Sequence, residues 1–272
     1  KFETLEKNTI IYEIKNGPYF KGKDLKKFWK NWMNKFSIIT TVFNGEKTIG
    51  KTIESVISQT YNNYEYIIID AKSEDNTLNE INKYKKYITK IISEPDKSIY
   101  EGMNKGIKIS TGKIIGIINS GDTYSREALK IINNYFENKN LDFMFGTVLK
   151  KKILHKYEPN KIWWSFNFYP AHSGGFFVKK IIHNQLGLYD TRYKCSADYD
   201  FFYKLIVKNK KIGAITKKEE LISTFDLGGY SSKLSLFEHM LEETNIRINN
   251  GQNKLVVLLI FVLKFLKHFS KI

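Results

Sequence analysis

FSIITTVFNGEKTIGKTIESVISQTYNNYEYIIIDAKSED, residues 36–75, changes its period twice, and those changes decide the fold. Phe36–Val42 is a short run of mostly β-branched residues, the pattern of a buried strand. Within Thr48–Gln59 the apolar residues Ile49, Ile53, Val56 and Ile57 instead fall on one helical face. Tyr66–Asp70 (YIIID) returns to the strand pattern. Outward from this unit the alternation continues through a helix-like Leu78–Tyr87, the run Lys90–Ser93, a helix-like Tyr100–Ile109 and the strand Ile114–Asn119. Near-continuous apolar strands separated by helices predict an α/β fold with a mainly parallel sheet, covered by helices on both faces.

The second half breaks that regularity. It holds a Lys-rich, hairpin-like stretch Val148–Tyr157, the aromatic patch Trp163–Tyr169, a helical window from Ser196 to Lys208, a glycine loop Leu227–Ser232 and a further helix Leu234–Asn249. The aromatic patch suits either a sugar-stacking wall (Trp163, Trp164, Phe166, Phe168) or a core or membrane-facing cluster.

Composition bounds the class of protein. The 272 residues carry 42 % apolar and 26 % charged side chains with only 4 Pro and 17 Gly, which excludes collagen-like and wholly disordered chains. One cysteine, Cys195, cannot form an internal disulfide, and no Cys/His spacing suits a structural zinc. The net charge of +16 attracts anionic partners, whether nucleic acid, lipid headgroups or phosphorylated substrates. The excess lies at both ends and in the Val148–Lys161 stretch, whereas the loops after the strands are acidic. No nucleic-acid partner is therefore expected at the strand-end cleft, although the charge alone would suit a nucleic-acid-binding module. No apolar core of the length a secretory signal needs lies near Lys1, so a cytoplasmic location is expected.

Ligands of such sheets bind outside the carboxyl ends of the strands. There the chain places Phe43-Asn44-Gly45-Glu46, Asp70-Ala71-Lys72-Ser73-Glu74-Asp75, Glu94-Pro95-Asp96 and Asn119-Ser120-Gly121-Asp122. Together with Ser93–Ile107, His172-Ser173-Gly174-Gly175-Phe176-Phe177, Ala197-Asp198-Tyr199-Asp200 and Phe225–Ser231, these residues resemble the family 2 glycosyltransferases and their GT-A nucleotide-sugar fold. The resemblance runs from Phe36 to about Ser232. Each motif is weak singly; in this order they are specific. The subgroup they are similar to assembles bacterial surface polysaccharides of the colanic acid, O-antigen or capsule type.

The resemblance implies a donor-binding set of Thr41, Val42, Phe43, Asn44, Asp70, Asp96, Asn104, Ser120, Gly121, Asp122 and His172. Asp70 would accept from the nucleotide base and Asn44 would fix the loop beside it. His172 would meet the diphosphate or the acceptor, or serve a structural role. The departing diphosphate gains negative charge, which a divalent cation, Mn²⁺ or Mg²⁺, held by Asp122 would neutralise. The family's Asp-x-Asp signature reads Asn119-Ser120-Gly121 here, with only the following Asp122 acidic, so a weakened metal dependence and a catalytically silent scaffold both stay open. Asp226 lies where many relatives place a His, and is a substitute oxygen ligand. The alternative for Asp122 is a cap on the helical region Ser125–Asn138. Asp198 matches the family's base for inverting transfer; Asp200, the runner-up, suits a helix cap. The implied partners are a nucleotide-sugar donor, with uridine favoured over thymidine or guanosine, and a lipid-linked saccharide acceptor. Whether the chain forms a homo-oligomer is left open.

Three regions follow from these readings: an N-terminal hairpin-helix extension (1–35), the GT-A catalytic domain (36–232) and C-terminal helices (233–272). In the tail, nine uninterrupted apolar residues precede Lys264, short of the ~20 a span needs. The tail is expected to lie in the plane of the inner membrane face, with Lys254, Lys264, Lys267 and Lys271 reaching lipid phosphates, or to dock on the protein itself.

Overall fold

The chain follows the predicted alternation closely. The computed structural model describes residues 34–164, 172–227 and 235–269. Most of the expected N-terminal extension, Phe166, Phe168, the glycine loop from Gly228 to Ser232 and Lys271 lie outside the described residues. Strands and helices alternate as β1 (Phe36–Val42), α1 (Ile49–Ile57), β2 (Tyr64–Asp70), α2 (Thr77–Asn82), β3 (Lys90–Ser93), α3 (Ile99–Ile109) and β4 (Ile114–Ile117). There follow β5 (Thr123–Tyr124), α4 (Ala128–Asn138), β6 (Phe143–Phe145), β7 (Thr147–Leu149), β8 (Ile153–Leu154), β9 (Phe176–Lys179) and α5 (Lys180–Leu186). The described chain ends with α6 (Ala197–Tyr203), β10 (Gly213–Ile215), β11 (Leu221–Thr224), α7 (Leu236–Asn249) and α8 (Lys254–His268).

Seven of these strands form the main sheet, in the order β10-β6-β9-β4-β1-β2-β3. Every pairing is parallel except those of β9, which runs antiparallel to both β4 and β6. A second sheet, β5-β11-β7-β8, includes the expected Lys-rich hairpin, with Val148 opposite Leu154. Side chains alternate across the main sheet as the pleat demands. Ile39, Ile67 and Ile69 face α3 and α6, with Met103, Ile107, Phe201 and Phe202. Ile38, Tyr66 and Ile68 face α1 and α4, with Ile49, Ile53, Val56, Leu129 and Ile132. Both faces are thus dry, and burying each such Ile contributes about 1.5–3 kcal/mol. Gly106 sets how closely α3 approaches β1: a Cβ there would lie 2.4 Å from Ile39 Cγ2.

Two helical expectations are corrected. Leu78–Tyr87 does not continue as one helix, because the Tyr84 N–H bonds Ile81 O three residues back and a 3₁₀ turn, Lys85–Tyr87, follows. The Tyr84 hydroxyl bonds Glu54 on α1 at 2.6 Å and fixes that turn. The window to Lys208 also changes pitch, since α6 passes into a single π turn at Lys204–Lys208 that leaves both Leu205 and Ile206 buried.

One of the lysines expected to reach lipid is buried in the C-terminal helix. Val257, Ile260 and Lys264 of α8 are buried, and the Lys264 ammonium pairs with Glu243 on α7. Lys264 therefore holds the two helices together and is not free to reach lipid phosphates. The opposite stripe, Leu255, Leu258, Leu259, Val262, Leu263 and Leu266, is exposed. No helix among the described residues is long and apolar enough to cross a membrane.

Candidate functional site

The parallel strands β1, β2, β3 and β4 end on one edge, and backbone hydrogen bonds tie the loops beyond them together. Ala71 N–H donates to Val42 O, Glu94 N–H to Asp70 O, and Ser120 N–H to Thr41 O. Asn44 adopts φ 48°, in the left-handed region that Asn tolerates, and its Oδ1 accepts from Glu74 N–H at 2.9 Å. Its own N–H donates to Ser73 Oγ at 2.8 Å, so Asn44 does bind the first loop to the second. Phe43 projects from this junction, 60 % exposed.

Asp70 is fully buried at the end of β2. Its carboxylate accepts from Ser73 N–H, from the Ser73 hydroxyl and from the Ser93 hydroxyl at 2.6 Å. These bonds brace the β2 and β3 loops against each other. Asp96 lies beside Thr41, since a Cβ on Gly102 would be 2.9 Å from Asp96 Oδ2 and 3.2 Å from Thr41 Cγ2. Lys105 pairs with Asp96 at 2.6 Å and with Glu94 at 2.9 Å. Burial pushes the Asp96 carboxyl up, against the pull of Lys105. Asn104 is not brought to this edge as a free amide: its Nδ2 donates to Tyr189 O at 2.8 Å and its Oδ1 accepts from Tyr189 N–H at 3.0 Å. It joins α3 to the segment before α6.

The turn after β4 gathers a second group. Thr41 Oγ1 donates to Asn119 Oδ1 at 2.9 Å, and Asn119 Nδ2 donates to Ser173 Oγ at 3.0 Å. Ser120 Oγ and Thr48 Oγ1 are 2.9 Å apart. Gly121 adopts φ 101°, a conformation that side-chain-bearing residues rarely take, and Thr52 of α1 accepts its N–H. Asp122, at 4 % exposure, does not cap the following helix; its Oδ1 accepts from Asp226 N–H at 2.9 Å. Burial, with the Asp226 charge adding to it, pushes the Asp122 carboxyl up to about 7, and Lys51 and Lys150 oppose the rise. The Asp226 carboxylate forms an ion pair with Lys51 of α1. His172 stacks on Phe225 with centroids 4.1 Å apart, its Nε2 is 3.3 Å from Lys150 Nζ, and burial lowers its pKa to about 4.

Asp122 and Asp226 therefore form a pair of hard oxygen donors with unfavourable mutual charge, which suits a divalent cation completed by phosphate oxygens. Among the described residues no group of three or more His, Cys, Asp or Glu side chains is arranged to hold a metal.

Asp198 stands in the first turn of α6, where its Oδ1 accepts from Tyr199 N–H at 2.9 Å and from the Tyr100 hydroxyl at 3.3 Å. Tyr100 opens α3 and brings Asp198 to the helix whose Gly102 packs beside Thr41 and Asp96. Asp200 is occupied on both oxygens, by Asn250 Nδ2 at 2.7 Å and by Lys204 Nζ at 2.6 Å. Both partners are side chains, so Asp200 does not make the backbone cap expected of it. Lys51, Lys150 and Tyr100 escape sequence reasoning. Nothing distinguishes Lys51 from other helix-surface lysines, and Lys150 lies in a Lys-rich hairpin.

A family model described as Glycosyl transferase family 2 matches residues 37–198. The poly(ribitol-phosphate) beta-N-acetylglucosaminyltransferase TarP of Staphylococcus aureus is 35 % identical over 119 residues, 42 % of this chain and 36 % of that protein. The UDP-Glc:alpha-D-GlcNAc-diphosphoundecaprenol beta-1,3-glucosyltransferase WfgD of Escherichia coli is 31 % identical over 111 residues, 40 % of this chain and 44 % of that protein. The match thus spans less than half the length of either relative. The mannosyltransferase PcManGT of Pyrobaculum calidifontis, solved with GDP-Man and Mn²⁺, superposes with a TM-score of 0.63 at 13 % identity, over 89 % of this chain and 76 % of that one. That likeness shows the shared fold.

Proposed function

The chain belongs to glycosyl transferase family 2, and from that premise we propose that it moves a sugar, with inversion, from a uridine diphosphate sugar to a hydroxyl of a lipid-linked saccharide during synthesis of a bacterial surface polysaccharide. The observation that carries the reading is the Asp122–Asp226 pair at the carboxyl ends of the strands, flanked by Lys51 and Lys150. Such a cluster suits a diphosphate with its cation. The names of WfgD and TarP support a surface-glycan acceptor and, for WfgD, a UDP-sugar donor.

In this reaction the acceptor oxygen bonds to the anomeric carbon while the bond from that carbon to the diphosphate oxygen breaks. The bonding pair leaves with the diphosphate. Asp198 takes the hydroxyl proton, and its bonds to Tyr199 N–H and Tyr100 keep the carboxylate oriented. A divalent cation held by Asp122 and Asp226 would offset the charge that the diphosphate gains. Lys51 and Lys150 add positive charge at the same edge. Thr41, Val42, Phe43, Asn44, Asp70, Asp96, Ser120, Gly121 and His172 line or brace the donor side.

Calorimetry with UDP, GDP and dTDP, with and without Mn²⁺, tests the reading. UDP is expected to bind the wild type with Mn²⁺, and Asp122→Ala is expected to lose at least about 2 kcal/mol of that binding, as removal of a charged ligand does. Absence of binding by all three nucleotides would leave the scaffold reading instead.

We also infer a peripheral site of action on the inner face of the cytoplasmic membrane. The exposed leucine stripe of α8 enters the headgroup boundary and Lys254 and Lys267 meet anionic phosphates. In flotation with phosphatidylglycerol vesicles, a Leu258→Glu/Leu259→Glu/Leu266→Glu variant is expected to lose most binding while UDP binding is kept. Equal flotation of variant and wild type would refute the attachment.

A further inference from the structure

The carboxylate pair already has a cation, supplied by the chain. Lys51 lies in the first turn of α1, and its ammonium pairs with Asp226 across 175 residues of sequence, with side chains 47 % and 39 % exposed. The residue so held is the one whose N–H donates to Asp122 Oδ1. The adjacent Thr52 fixes the same turn from the same helix, accepting from Gly121 N–H at 2.9 Å and donating to Asp122 O at 2.8 Å. Residue 121 leaves room for this arrangement, since a Cβ there would lie 3.2 Å from Asp226 Cβ and Oδ2. Lys150 is committed elsewhere, 3.3 Å from His172 Nε2 and 4.6 Å above the Phe225 ring. The lysine on the Asp226 carboxylate is therefore Lys51.

An ammonium on a carboxylate and a divalent ion at that carboxylate repel each other, so the two compete for Asp226. A nucleotide diphosphate changes the balance in two ways. It brings oxygen ligands that a hard cation needs, and it brings an anion that a displaced ammonium can pair with.

We propose that Lys51 is the resident counter-cation of the Asp122–Asp226 cluster: it opposes metal binding in the nucleotide-free enzyme and yields Asp226 when a nucleotide diphosphate arrives. The proposal rests on the reading of these two carboxylates as the metal's protein ligands. Its consequence is a coupling between metal and nucleotide, and coupling of this kind is reciprocal. A lone metal ion binds poorly, and metal and UDP each strengthen the other.

The test is a Mn²⁺ titration followed by the electron paramagnetic resonance signal of free Mn²⁺, with and without UDP, for the wild type, Lys51→Met, Lys51→Arg and Asp122→Ala. Because Lys51 is half-exposed on α1, its replacement leaves the core intact. Without UDP, Lys51→Met is expected to bind Mn²⁺ about fivefold more tightly than the wild type, the size of one partly exposed ion pair. The strengthening by UDP is expected to shrink by the same factor, and Lys51→Arg, which keeps the charge, to match the wild type. Equal or weaker nucleotide-free binding by Lys51→Met overturns the proposal while leaving the metal site standing. If the wild type with UDP binds no more Mn²⁺ than Asp122→Ala does, the metal reading itself fails, and the proposal with it.

Discussion

Asp198→Asn is expected to lower the rate constant for sugar transfer by about 10²–10⁴-fold, the contribution of a positioned general base, with donor binding nearly unchanged. The substitution keeps the shape and the acceptor oxygen that Tyr199 N–H and the Tyr100 hydroxyl address. It removes the ability to take a proton. Nearby Asp200 offers no replacement, because Asn250 and Lys204 occupy both its oxygens. Single-turnover transfer from a UDP-sugar, measured beside calorimetric UDP binding, separates the outcomes. A variant within tenfold of the wild type would place the base elsewhere; parallel loss of binding and turnover would make Asp198 a structural residue.

Arg247→Met is expected to cost about 3–5 kcal/mol of folding stability, as the loss of one partner from a buried ion pair does. The guanidinium is 1 % exposed. It donates to Glu243 Oε1 at 3.0 Å, to Gln252 Oε1 at 3.1 Å, and to the carbonyls of Trp163 and Ile162. It also lies 5.7 Å from the Tyr199 ring, beside Asp198. Met replaces the volume but removes the donor to Ile162 O and leaves Glu243 with Lys264 alone, while Trp163 O keeps Gln252 and Gln252 Oε1 keeps the Tyr203 hydroxyl. Urea denaturation of the full chain measures the loss, and Lys is expected to recover part of it, since an ammonium keeps the charge but not the planar fork. A loss below about 1 kcal/mol would mean that water and local rearrangement satisfy the acceptors.

The contrast between these two residues shows what a sequence makes legible. Asp198 falls in an ordered set of short motifs, and the motifs keep their meaning because each sits at the end of a strand or the start of a helix whose period is visible locally. The same holds for Asp122 and for the bounds of β1 and β3, Phe36–Val42 and Lys90–Ser93, which match the expected runs. Arg247 has no such signal: Leu234–Asn249 reads simply as another helix, and only packing against the Trp163 segment and α6 buries one of its charges. Lys264 misleads in the same way, since a lysine in an apolar run reads as a solvent-seeking cation until a carboxylate on a neighbouring helix meets it.

Hydrophobic period and the residues at strand ends determined the α/β order, the parallel core of the sheet and the edge where its acids gather. These are local properties, set by the alternation of side chains along a strand and around a helix. Tertiary structure alone decided which charges meet. Lys51 reaches Asp226, Asn104 clamps Tyr189, and Lys264 and Arg247 share Glu243. The Arg247–Glu243 contact has i,i+4 spacing within α7, but its burial depends on other elements, and the other pairings join residues on different elements. Their geometry depends on how those elements pack, and no spacing along the chain records that.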